Sequence, residues 1–438
     1  MTDGITVIGG GLAGSEAAWQ IARLGIKVRL YEMRPGRATP AHRTEKLAEI
    51  VCSNSLKSDQ PYAASWLLKE ELRRMGSILL QIADSVRVPA GTALAVDRER
   101  FAERVTEAIS GEAHIELIRE EAPAIPPEGI VVIASGPLTS PALSESVRQF
   151  CGADHLYFYD AISPIVDADT VDSSKVFKAG RYGKSSGDYI NCPMNREQYD
   201  AFYDALIDAE SVPMHEFEEP QYFESCLPIE ELARRGRDTL RFGPMRPVGL
   251  EDPRTGRRPW AVVQLRQEDL MQSSYNIVGF QNHLKFDAQR RVFRMIPGLE
   301  NATFLRLGQI HRNTYINAPQ TLLPTMAARK DPRVFFAGQL AGTEGYIENV
   351  ASGLIAGINA ARQLRHEDPL VLPPETAMGA LCRYVSTPQK QFAPMNINFG
   401  LLPAIFHPGK VSKSDKQKML CARALEALSS FTETCRPA

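Results

Sequence analysis

The first 32 residues alternate between short apolar runs and one longer run in which small and apolar residues recur at helical spacing. Residues 5–8 predict a buried strand, residues 14–24 a helix and residues 27–32 a second strand. Glycines fill the turn between the first strand and the helix. This order is one β-α-β unit, which is typical of the start of a doubly wound parallel sheet.

Three further patterns extend this unit. Residues 64–85 carry apolar positions at helical spacing and predict one long amphipathic helix. The stretch TALAVDRERFAERVTEAI predicts a short strand followed by a helix that Asp97 caps. The stretch GIVVIASGP at 129–137 predicts a buried strand that runs into a glycine turn.

The pattern changes between about residues 152 and 309, where segments are shorter and are broken by Pro, Gly and charged turns. The first pattern returns at 333–364, which predicts a buried strand, a glycine-rich loop and a helix with small residues on one face. We therefore predict an α/β fold. A Rossmann-like, doubly wound parallel sheet is formed by residues 1–151 and 310–438, the latter ending in helices, and a large α+β domain is inserted at 152–309.

Composition agrees with two globular units. A single hydrophobic core rarely grows beyond roughly 250–300 residues, and the chain has 438, of which 44% are hydrophobic and 23% charged. It contains no apolar run of membrane-spanning length and begins MTDG without a signal-peptide pattern. We expect a cytoplasmic protein with no membrane partner. The seven cysteines are widely spaced and form no CxxC pair, so we expect neither a disulfide framework nor a metal site.

The net charge of −2 provides no overall attraction for nucleic acid, so such a partner would need a local basic patch. Residues 234–258 contain eight arginines against three acidic residues. Taken alone, a patch of this kind is more often a solvated face than a binding site. Arginine is nevertheless the residue that both clamps phosphates bidentately and stacks on bases.

The glycine turn has the spacing Gly9-x-Gly11-x-x-Gly14 and lies between a strand and a helix. Its glycines permit a tight turn, close approach of the backbone to a pyrophosphate and close helix packing, and the helix N-terminus favours the anion. Glu32 ends the second strand eighteen residues later, where an acid can bind ribose hydroxyls. We predict a dinucleotide site formed by Gly9, Gly10, Gly11, Leu12, Ala13, Gly14 and Glu32.

The rest of the chain contains no second fingerprint, which favours a single tightly held dinucleotide. The late strand, loop and helix favour FAD, because in flavoproteins such a strand returns to the cofactor and the next helix directs its N-terminus at the flavin. Gln339 occupies the position where most flavoproteins have an aspartate. The candidate cofactor-binding residues of this loop are Gly338, Gln339, Gly342 and Thr343.

Two long stretches, GGGLAGSEAAWQIARLG and GQLAGTEGYIENVASGLIAGINAA, resemble the GidA-like flavoproteins that modify tRNA. The stretches VCSNSLKSD, HRNTYINAP and FESCLPIEELARRG resemble the branch formed by the folate- and FAD-dependent tRNA uracil-5-methyltransferases. The resemblance covers essentially the whole chain. It implies methylation of carbon 5 of the T-loop uridine at position 54 of tRNA. The carbon donor would be 5,10-methylenetetrahydrofolate, the reductant reduced FAD, and the source of electrons NADH or NADPH.

The resemblance also places functional cysteines at Cys52 and Cys226. Carbon 5 of uracil is a poor nucleophile until a group adds at carbon 6, and a thiolate suits that reversible addition. A second group must then remove the carbon-5 proton. We predict that Cys226 is the nucleophile and that Cys52, near the flavin, assists with proton removal or carbon transfer, although the roles could be exchanged. The other cysteines are expected to be small packed hydrophobes: Cys151, Cys192, Cys382, Cys421 and Cys435.

Further roles follow from the resemblance. The ring of His311 would stack on the folate pterin, and Glu344 and Tyr346 would face the flavin or the folate, although helix capping and packing explain the last two equally well. The arginine-rich stretch directly after Cys226 becomes a candidate for phosphate contacts with the T arm. The candidate tRNA-binding residues are Arg234, Arg235, Arg237 and Arg241. The target base must be flipped out of the folded tRNA before it reacts.

Two other functions remain open from the residues. The first is a flavin oxidoreductase that acts on a small molecule and uses the cysteines as a redox pair, which predicts turnover without RNA. The second is a non-catalytic flavin-bound RNA-binding or scaffold protein, which predicts RNA binding that is insensitive to Cys52→Ala and Cys226→Ala. The oligomeric state is not indicated by any pattern in the chain.

Overall fold

The structure is a computed structural model. It describes residues 4–152, 156–183, 187–212, 227–390, 392–406 and 411–434, and it describes only the backbone for residues 156–161, 310–313 and 434. Within these ranges the chain forms sixteen strands and thirteen α-helices. Cys226 lies outside the described residues, and the side chain of His311 is not described.

The strands follow one another along the described chain in this order: β1 (Gly4–Ile8), β2 (Lys27–Tyr31), β3 (Ser55–Ser58), β4 (Arg87–Val88), β5 (Ala93–Val96), β6 (Ile115–Ile118), β7 (Val131–Ile133), β8 (Leu156–Ala161), β9 (Ile165–Asp167), β10 (Phe177–Lys178), β11 (Tyr189–Met194), β12 (Ala261–Gln267), β13 (Ser274–Ile277), β14 (Phe304–Arg306), β15 (Ile310–Tyr315) and β16 (Val334–Phe336).

The α-helices are α1 (Leu12–Ala22), α2 (Ala64–Arg74), α3 (Ile78–Ser85), α4 (Arg98–Gly111), α5 (Pro141–Cys151), α6 (Arg196–Ile207), α7 (Ile229–Arg234), α8 (Thr239–Phe242), α9 (Phe286–Phe293), α10 (Ala318–Thr321), α11 (Tyr346–Leu364), α12 (Ala377–Ser386) and α13 (Lys413–Thr434). None of the helices in the described residues is both long enough and apolar enough to span a membrane.

The first sheet is parallel and has the strand order β16-β7-β1-β2-β6. The side chains of β7 and β16 are buried throughout, as expected for strands that are covered on both faces. Because β16 pairs with β7, a late part of the chain completes the sheet that the first residues begin. The doubly wound, Rossmann-like fold predicted from the sequence is confirmed.

Helices α1 and α11 pack on each other at backbone distance. A Cβ atom built on Gly353 would lie 2.2 Å from the carbonyl oxygen of Ala13, and one on Gly357 would lie 2.6 Å from that of Ala17. No larger residue fits at either position without moving a helix. This contact holds the N-terminus of α11 beside the glycine turn after β1.

A second sheet is antiparallel and has the order β10-β11-β12-β13-β9-β14. With helices α6, α7 and α9 it encloses a separate hydrophobic core that includes Tyr199, Phe202, Phe280 and Phe293. This is the inserted α+β unit. Strands β8 and β15 pair with each other in antiparallel register where the chain leaves and re-enters the first unit. The domain borders at 151/152 and 309/310 stay predictions, and β8 and β15 lie next to them.

The prediction of one helix over 64–85 is wrong. The chain forms two helices, α2 and α3, separated at Gly76, whose φ of +75° ends the first helix in a left-handed conformation. Ser77 caps the second helix by accepting a hydrogen bond from the N–H of Leu80 at 3.3 Å. The carbonyl oxygen of Gly76 accepts hydrogen bonds from Gln20 of α1 and from Arg23, which caps the end of α1, so tertiary contacts hold the break in place.

The predicted strand and capped helix that follow are confirmed. Strand β5 precedes α4, and the carboxylate of Asp97 accepts a hydrogen bond from the N–H of Arg100 at 3.0 Å. Strands β3, β5 and β4 form a small antiparallel sheet. The loop that contains Cys52 leads directly into β3.

Stability should depend on pH through Glu71 of α2, which is buried and accepts hydrogen bonds from the N–H groups of Ala377 and Met378 at 2.6 and 2.8 Å. Burial raises the pKa of Glu71 from 4.5 to about 8, against the lowering effect of these hydrogen bonds. The folded protein therefore keeps a proton that the unfolded chain releases, and this contribution to stability is lost as the pH rises from 4.5 through 8. Because glutamine cannot ionise, the free energy of unfolding of Glu71→Gln should increase relative to that of the wild type. The increase should reach up to about 1.4 kcal/mol per pH unit over that range.

Urea unfolding at several pH values between 5 and 9 measures this difference. The matched variant Glu70→Gln, which replaces the neighbouring half-buried carboxylate that pairs with Arg73, controls for the loss of a glutamate from the same helix. A Glu71→Gln difference that stays constant with pH would contradict the prediction.

Candidate functional site

A cleft with about 1030 Å³ of empty volume opens at the carboxyl ends of β1, β2, β7 and β16. Ligands of open parallel sheets bind at such an edge. We call it the nucleotide cleft, and residues from both parts of the first unit line it. The predicted residues among its lining are Gly9, Gly10, Gly11, Leu12, Ala13, Glu32, Gly338, Gln339 and Tyr346.

The glycine turn uses each of its glycines differently. Gly9 has a φ of +106°. A Cβ atom on Gly14 would lie 1.8 Å from the carbonyl oxygen of Gly9, so Gly14 lies behind the turn and permits its close packing on α1. A Cβ atom on Gly11 would meet no protein atom within 4 Å. Gly11 therefore faces open space in the cleft, where a pyrophosphate can approach the backbone.

Glu32 follows β2 and holds the turn from the side. Its carboxylate accepts hydrogen bonds from the N–H of Gly10 at 3.0 Å and from Nε of Arg34 at 2.8 Å. Burial alone would raise the pKa of Glu32, but the hydrogen bonds and charge of Arg34 outweigh it, so the pKa is lowered. The carboxylate is ionised at neutral pH and can accept hydrogen bonds from ribose hydroxyls.

Sequence reasoning missed other residues that line the nucleotide cleft, including Ser135, Gly136, His42 and Asn349. The first two follow β7, and its predicted glycine turn was the available signal, because neighbouring parallel strands end at the same edge of a sheet. No local pattern pointed to His42 or Asn349. Burial and the charge of Arg34 lower the pKa of His42 to about 4, so its ring is neutral at pH 7.

The loop before α11 closes the opposite side of the cleft. The side chain of Gln339 donates a hydrogen bond to the carboxylate of Glu344 at 2.8 Å. The hydroxyl of Thr343 donates to the carbonyl oxygen of Gly338 at 2.8 Å, and Gly342 packs against the ring of Phe392. Glu344, Thr343 and Gly342 thus shape this loop without lining the cleft. The 19-residue helix α11 begins at Tyr346, where its dipole is positive.

Cys52 directly follows Val51, which lines the nucleotide cleft, and is partly exposed. The hydroxyl oxygen of Tyr346 accepts hydrogen bonds from the N–H groups of Cys52 and Ser53, at 2.9 and 3.2 Å. Burial is the main cause that raises the pKa of Tyr346, and the nearby Cys52 raises it further, so the phenol keeps its proton. The structure therefore brings together two predicted site residues that are 294 positions apart in the chain.

Two arginines, Arg98 and the buried Arg306, approach the same place. Arg98 donates hydrogen bonds to the carbonyl oxygen of Ile50 at 2.5 Å and to Glu268 at 2.8 Å. Burial and the charge of Arg98 lower the pKa of Arg306 to about 10. Both guanidinium groups interact electrostatically with Cys52. The Cys52 loop is therefore bordered by two arginine side chains.

The polar residues after Cys52 join the two units. Asn54 is fully buried and donates hydrogen bonds to the carbonyl oxygens of Val96 at 3.1 Å and Gln267 at 2.9 Å. Arg266 of β12 donates to the side chains of Asn54 at 2.9 Å and Ser53 at 2.6 Å. This set of contacts, which we call the junction, ties the Cys52 loop to the inserted sheet.

Four of the cysteines that were expected to be packed hydrophobes lie in the described residues and are buried or half-buried. Burial raises the pKa of the thiols of Cys151, Cys192, Cys382 and Cys421. Within the part of the chain that the structure describes, no group of three His, Cys, Asp or Glu side chains could hold a metal ion.

The predicted tRNA-binding arginines lie on the inserted unit. Arg234 pairs with Glu231, Arg237 pairs with Asp204, and Arg241 pairs with Asp238 at 2.6 Å. Arg235 ends α7 as its C-cap residue. Arg234, Arg237 and Arg241 therefore already have acidic partners at the surface.

Comparisons with known proteins agree with this geometry. The profile of the family described as "Glucose inhibited division protein A" matches residues 4–368. A Geobacter sulfurreducens protein named methylenetetrahydrofolate--tRNA-(uracil-5-)-methyltransferase TrmFO is 58% identical over 99% of this chain and 100% of its own length. A Moorella thermoacetica protein of the same name is 56% identical over 99% of both chains.

The chain belongs to the GidA family, in its TrmFO branch. The structure of Aquifex aeolicus GidA superposes on 98% of this chain and 76% of that chain, with a TM-score of 0.71 and 17% sequence identity. That likeness concerns the fold. The resemblance predicted from the sequence motifs is confirmed.

FAD, the cofactor that the GidA family implies, fits the nucleotide cleft. An ionised acid stands where a ribose binds, a glycine turn leaves open space at Gly11 for a pyrophosphate, and the N-terminus of α11 faces the far end. Glu32, Gly11 and Gln339 would thus hold successive parts of the dinucleotide. When bound, FAD supplies two-electron chemistry beside Cys52.

The glycines of the GidA-family turn should separate folding from cofactor binding. Gly14→Ala places a methyl group against the carbonyl oxygen of Gly9. It should lower the free energy of unfolding of the cofactor-free protein by about 1–3 kcal/mol. Gly11→Ala should leave that value within about 0.5 kcal/mol but reduce the flavin content, because its methyl group enters the open space of the cleft. Urea unfolding and flavin absorbance measure the two effects. Equal loss of stability in both variants would contradict the assignment.

The junction of this GidA-family chain should be required for stability. Asn54→Ala removes the acceptor of Arg266 at 2.9 Å and the donor to the carbonyl oxygens of Val96 and Gln267, and should cost about 1–3 kcal/mol of unfolding free energy. Ser55→Ala, in the same loop, removes only an acceptor for the N–H of Lys57 at 3.2 Å and should cost less than about 1 kcal/mol. Chemical denaturation of both variants tests this, and similar costs would show that Asn54 has no special role.

Proposed function

We propose that this chain methylates carbon 5 of the T-loop uridine at position 54 of tRNA, giving 5-methyluridine. The carbon donor is 5,10-methylenetetrahydrofolate, the reductant is reduced FAD, and NADH or NADPH reduces the flavin. The main support is the full-length identity of 58% to a relative whose name specifies the folate donor, tRNA and carbon 5 of uracil. Cys52 next to the lining of a cleft that fits FAD agrees with this chemistry.

The methylene carbon of the folate must gain two electrons to become a methyl group, and bound FAD would supply them. The thiol has a different task, because it activates carbon 5 of the uracil. A thiolate adds to carbon 6 of the uracil, and carbon 5 then attacks the donor carbon. A second group then removes the proton from carbon 5, and tetrahydrofolate is released from the transferred carbon. The thiolate leaves carbon 6 once that carbon has gained the two electrons that reduced FAD would supply. In our assignment Cys226 is the nucleophile, and Cys52 takes the proton or assists carbon transfer.

The described residues explain how Cys52 is held for this task. Tyr346 binds the backbone of Cys52, and Asn54 fixes the next turn of the loop. Arg98 and Arg306 place positive charge beside the thiol. The loop therefore positions Cys52 through its backbone and through its neighbours in the chain.

Substrate contacts are assigned as predicted. His311, Glu344 and Tyr346 form the folate side of the site, and the inserted unit contacts the T arm through its arginines. Because tRNA is the substrate, we infer that the protein acts in the cytoplasm.

The test is incubation of purified, FAD-loaded protein with unmodified tRNA, methylenetetrahydrofolate, NADH and NADPH, followed by digestion of the RNA and mass spectrometry for 5-methyluridine. Product should require both the folate and a reductant. Cys52→Ala and Cys226→Ala should each reduce the rate at least about 100-fold. Cys151→Ala, whose thiol lies on α5 away from the lining of the cleft, is the matched control and should stay active.

Absence of product from flavin-loaded protein that binds tRNA would reject the methyltransferase. Oxidation of NADH or NADPH at full rate without RNA would instead favour a small-molecule oxidoreductase. Methylation that survives both cysteine substitutions would reject the assigned thiol chemistry alone.

A further inference from the structure

A second large concavity lies on the inserted unit, with about 1820 Å³ of empty volume. We call it the basic groove. It is bordered by the start of α6, by α8 and by the turn that leads into β12. Its lining includes six basic residues: Lys175, Arg196, Arg241, Arg254, Arg257 and Arg258.

The charge of the basic groove is only partly neutralised. Lys175 pairs with Glu300 at 2.8 Å, and Arg254 pairs with Asp252 at 2.7 Å. Arg257 and Arg258 are exposed, and neither forms an ion pair with a residue in the described ranges. Two unpaired guanidinium groups at the edge of a concave surface can bind phosphates bidentately.

Aromatic rings lie among these charges. The guanidinium of Arg241 lies 3.6 Å from the ring centroid of Trp260, and that of Arg196 lies 5.3 Å from it. The neighbouring ring of Phe242 is 82% exposed. A phenyl ring left in water beside arginines offers a face on which an unpaired base can stack.

The basic groove lies apart from the Cys52 site. Trp260 directly precedes β12, and Arg266 near the other end of that strand binds Asn54. Six residues of extended strand separate the two, which corresponds to about 20 Å. A ligand that contacts both places must span this distance, which corresponds to roughly six stacked nucleotides of one strand.

We propose that the basic groove binds the sugar-phosphate backbone of tRNA and stacks one unpaired base on Phe242, as a second binding site about 20 Å from the reacting uridine. This inference rests on the proposed function, because it takes tRNA as the substrate. It assigns the main phosphate contacts to Arg257 and Arg258 rather than to Arg234 and Arg237, which are paired with acids. Such contacts position the RNA without reading its sequence.

The charge component is tested by measuring the Kd of tRNA for full-length, FAD-loaded protein at several salt concentrations. Arg257→Glu/Arg258→Glu should raise Kd at least about tenfold and reduce the slope of log Kd against log salt by about 1–2. The matched control Arg290→Glu/Arg291→Glu reverses two adjacent exposed arginines on α9 that do not line the groove. Its Kd should stay within about threefold of the wild type.

The stacking component is tested by Phe242→Ala, which should weaken tRNA binding about tenfold without changing the salt slope. Phe242→Tyr keeps an aromatic face and should bind like the wild type. Because Phe242 is exposed, flavin absorbance and thermal stability should be the same in all three proteins, which separates loss of binding from loss of folding.

Unchanged binding by Arg257→Glu/Arg258→Glu, or equal weakening by the α9 control, would overturn this inference. Failure of the proposed function has a different signature. A wild-type protein that binds tRNA through the groove but forms no 5-methyluridine would reject the methyltransferase and leave the groove assignment intact. If the protein forms 5-methyluridine but the groove substitutions leave its Kd for tRNA unchanged, the groove assignment alone would be rejected.

Discussion

The backbone contact between α1 and α11 is the constraint on which the site depends. Gly353 and Gly357 allow α11 to lie against the carbonyl groups of Ala13 and Ala17, at distances that any Cβ atom would prevent. The contact brings a late helix onto the first β-α-β unit. The glycine turn and the N-terminus of α11 therefore face each other across one cleft, as a long dinucleotide requires.

A second set of polar contacts attaches the Cys52 loop to this frame. Tyr346, at the first turn of α11, binds the backbone of Cys52, and two residues later the buried carboxylate of Glu348 pairs with Lys57 at 2.6 Å. On its other side the loop is held by Arg266 of the inserted sheet, which donates a hydrogen bond to Asn54 of the loop. The thiol thus lies where both units meet, and any shift of one unit against the other would move it. Buried pairs of this kind are costly to break, because removal of one partner leaves an uncompensated polar group.

The inserted unit distributes its charge in two ways. On α7 and α8 arginines are matched by acids of the same unit, which suits a stable surface but leaves little charge for a ligand. Around Trp260 the balance differs, since Arg257 and Arg258 extend from a turn with no described acidic partner. The strand that begins beside Trp260 ends at the junction. One rigid strand therefore connects the candidate RNA surface to the thiol.

The sequence by itself determined the features that depend on near neighbours. The β-α-β start, the Asp97 cap and the late strand with its helix follow from periodicity and capping, because these report local burial and local hydrogen bonds. The family motifs added the chemistry of Cys52 and the cofactor. The tertiary structure alone decided the break at Gly76, which contacts from α1 stabilise, and the pairing of Cys52 with Tyr346. It also showed that Asn54 is a buried residue that ties the Cys52 loop to the inserted sheet. Contacts between residues hundreds of positions apart depend on how helices and sheets pack, and no local pattern encodes that packing.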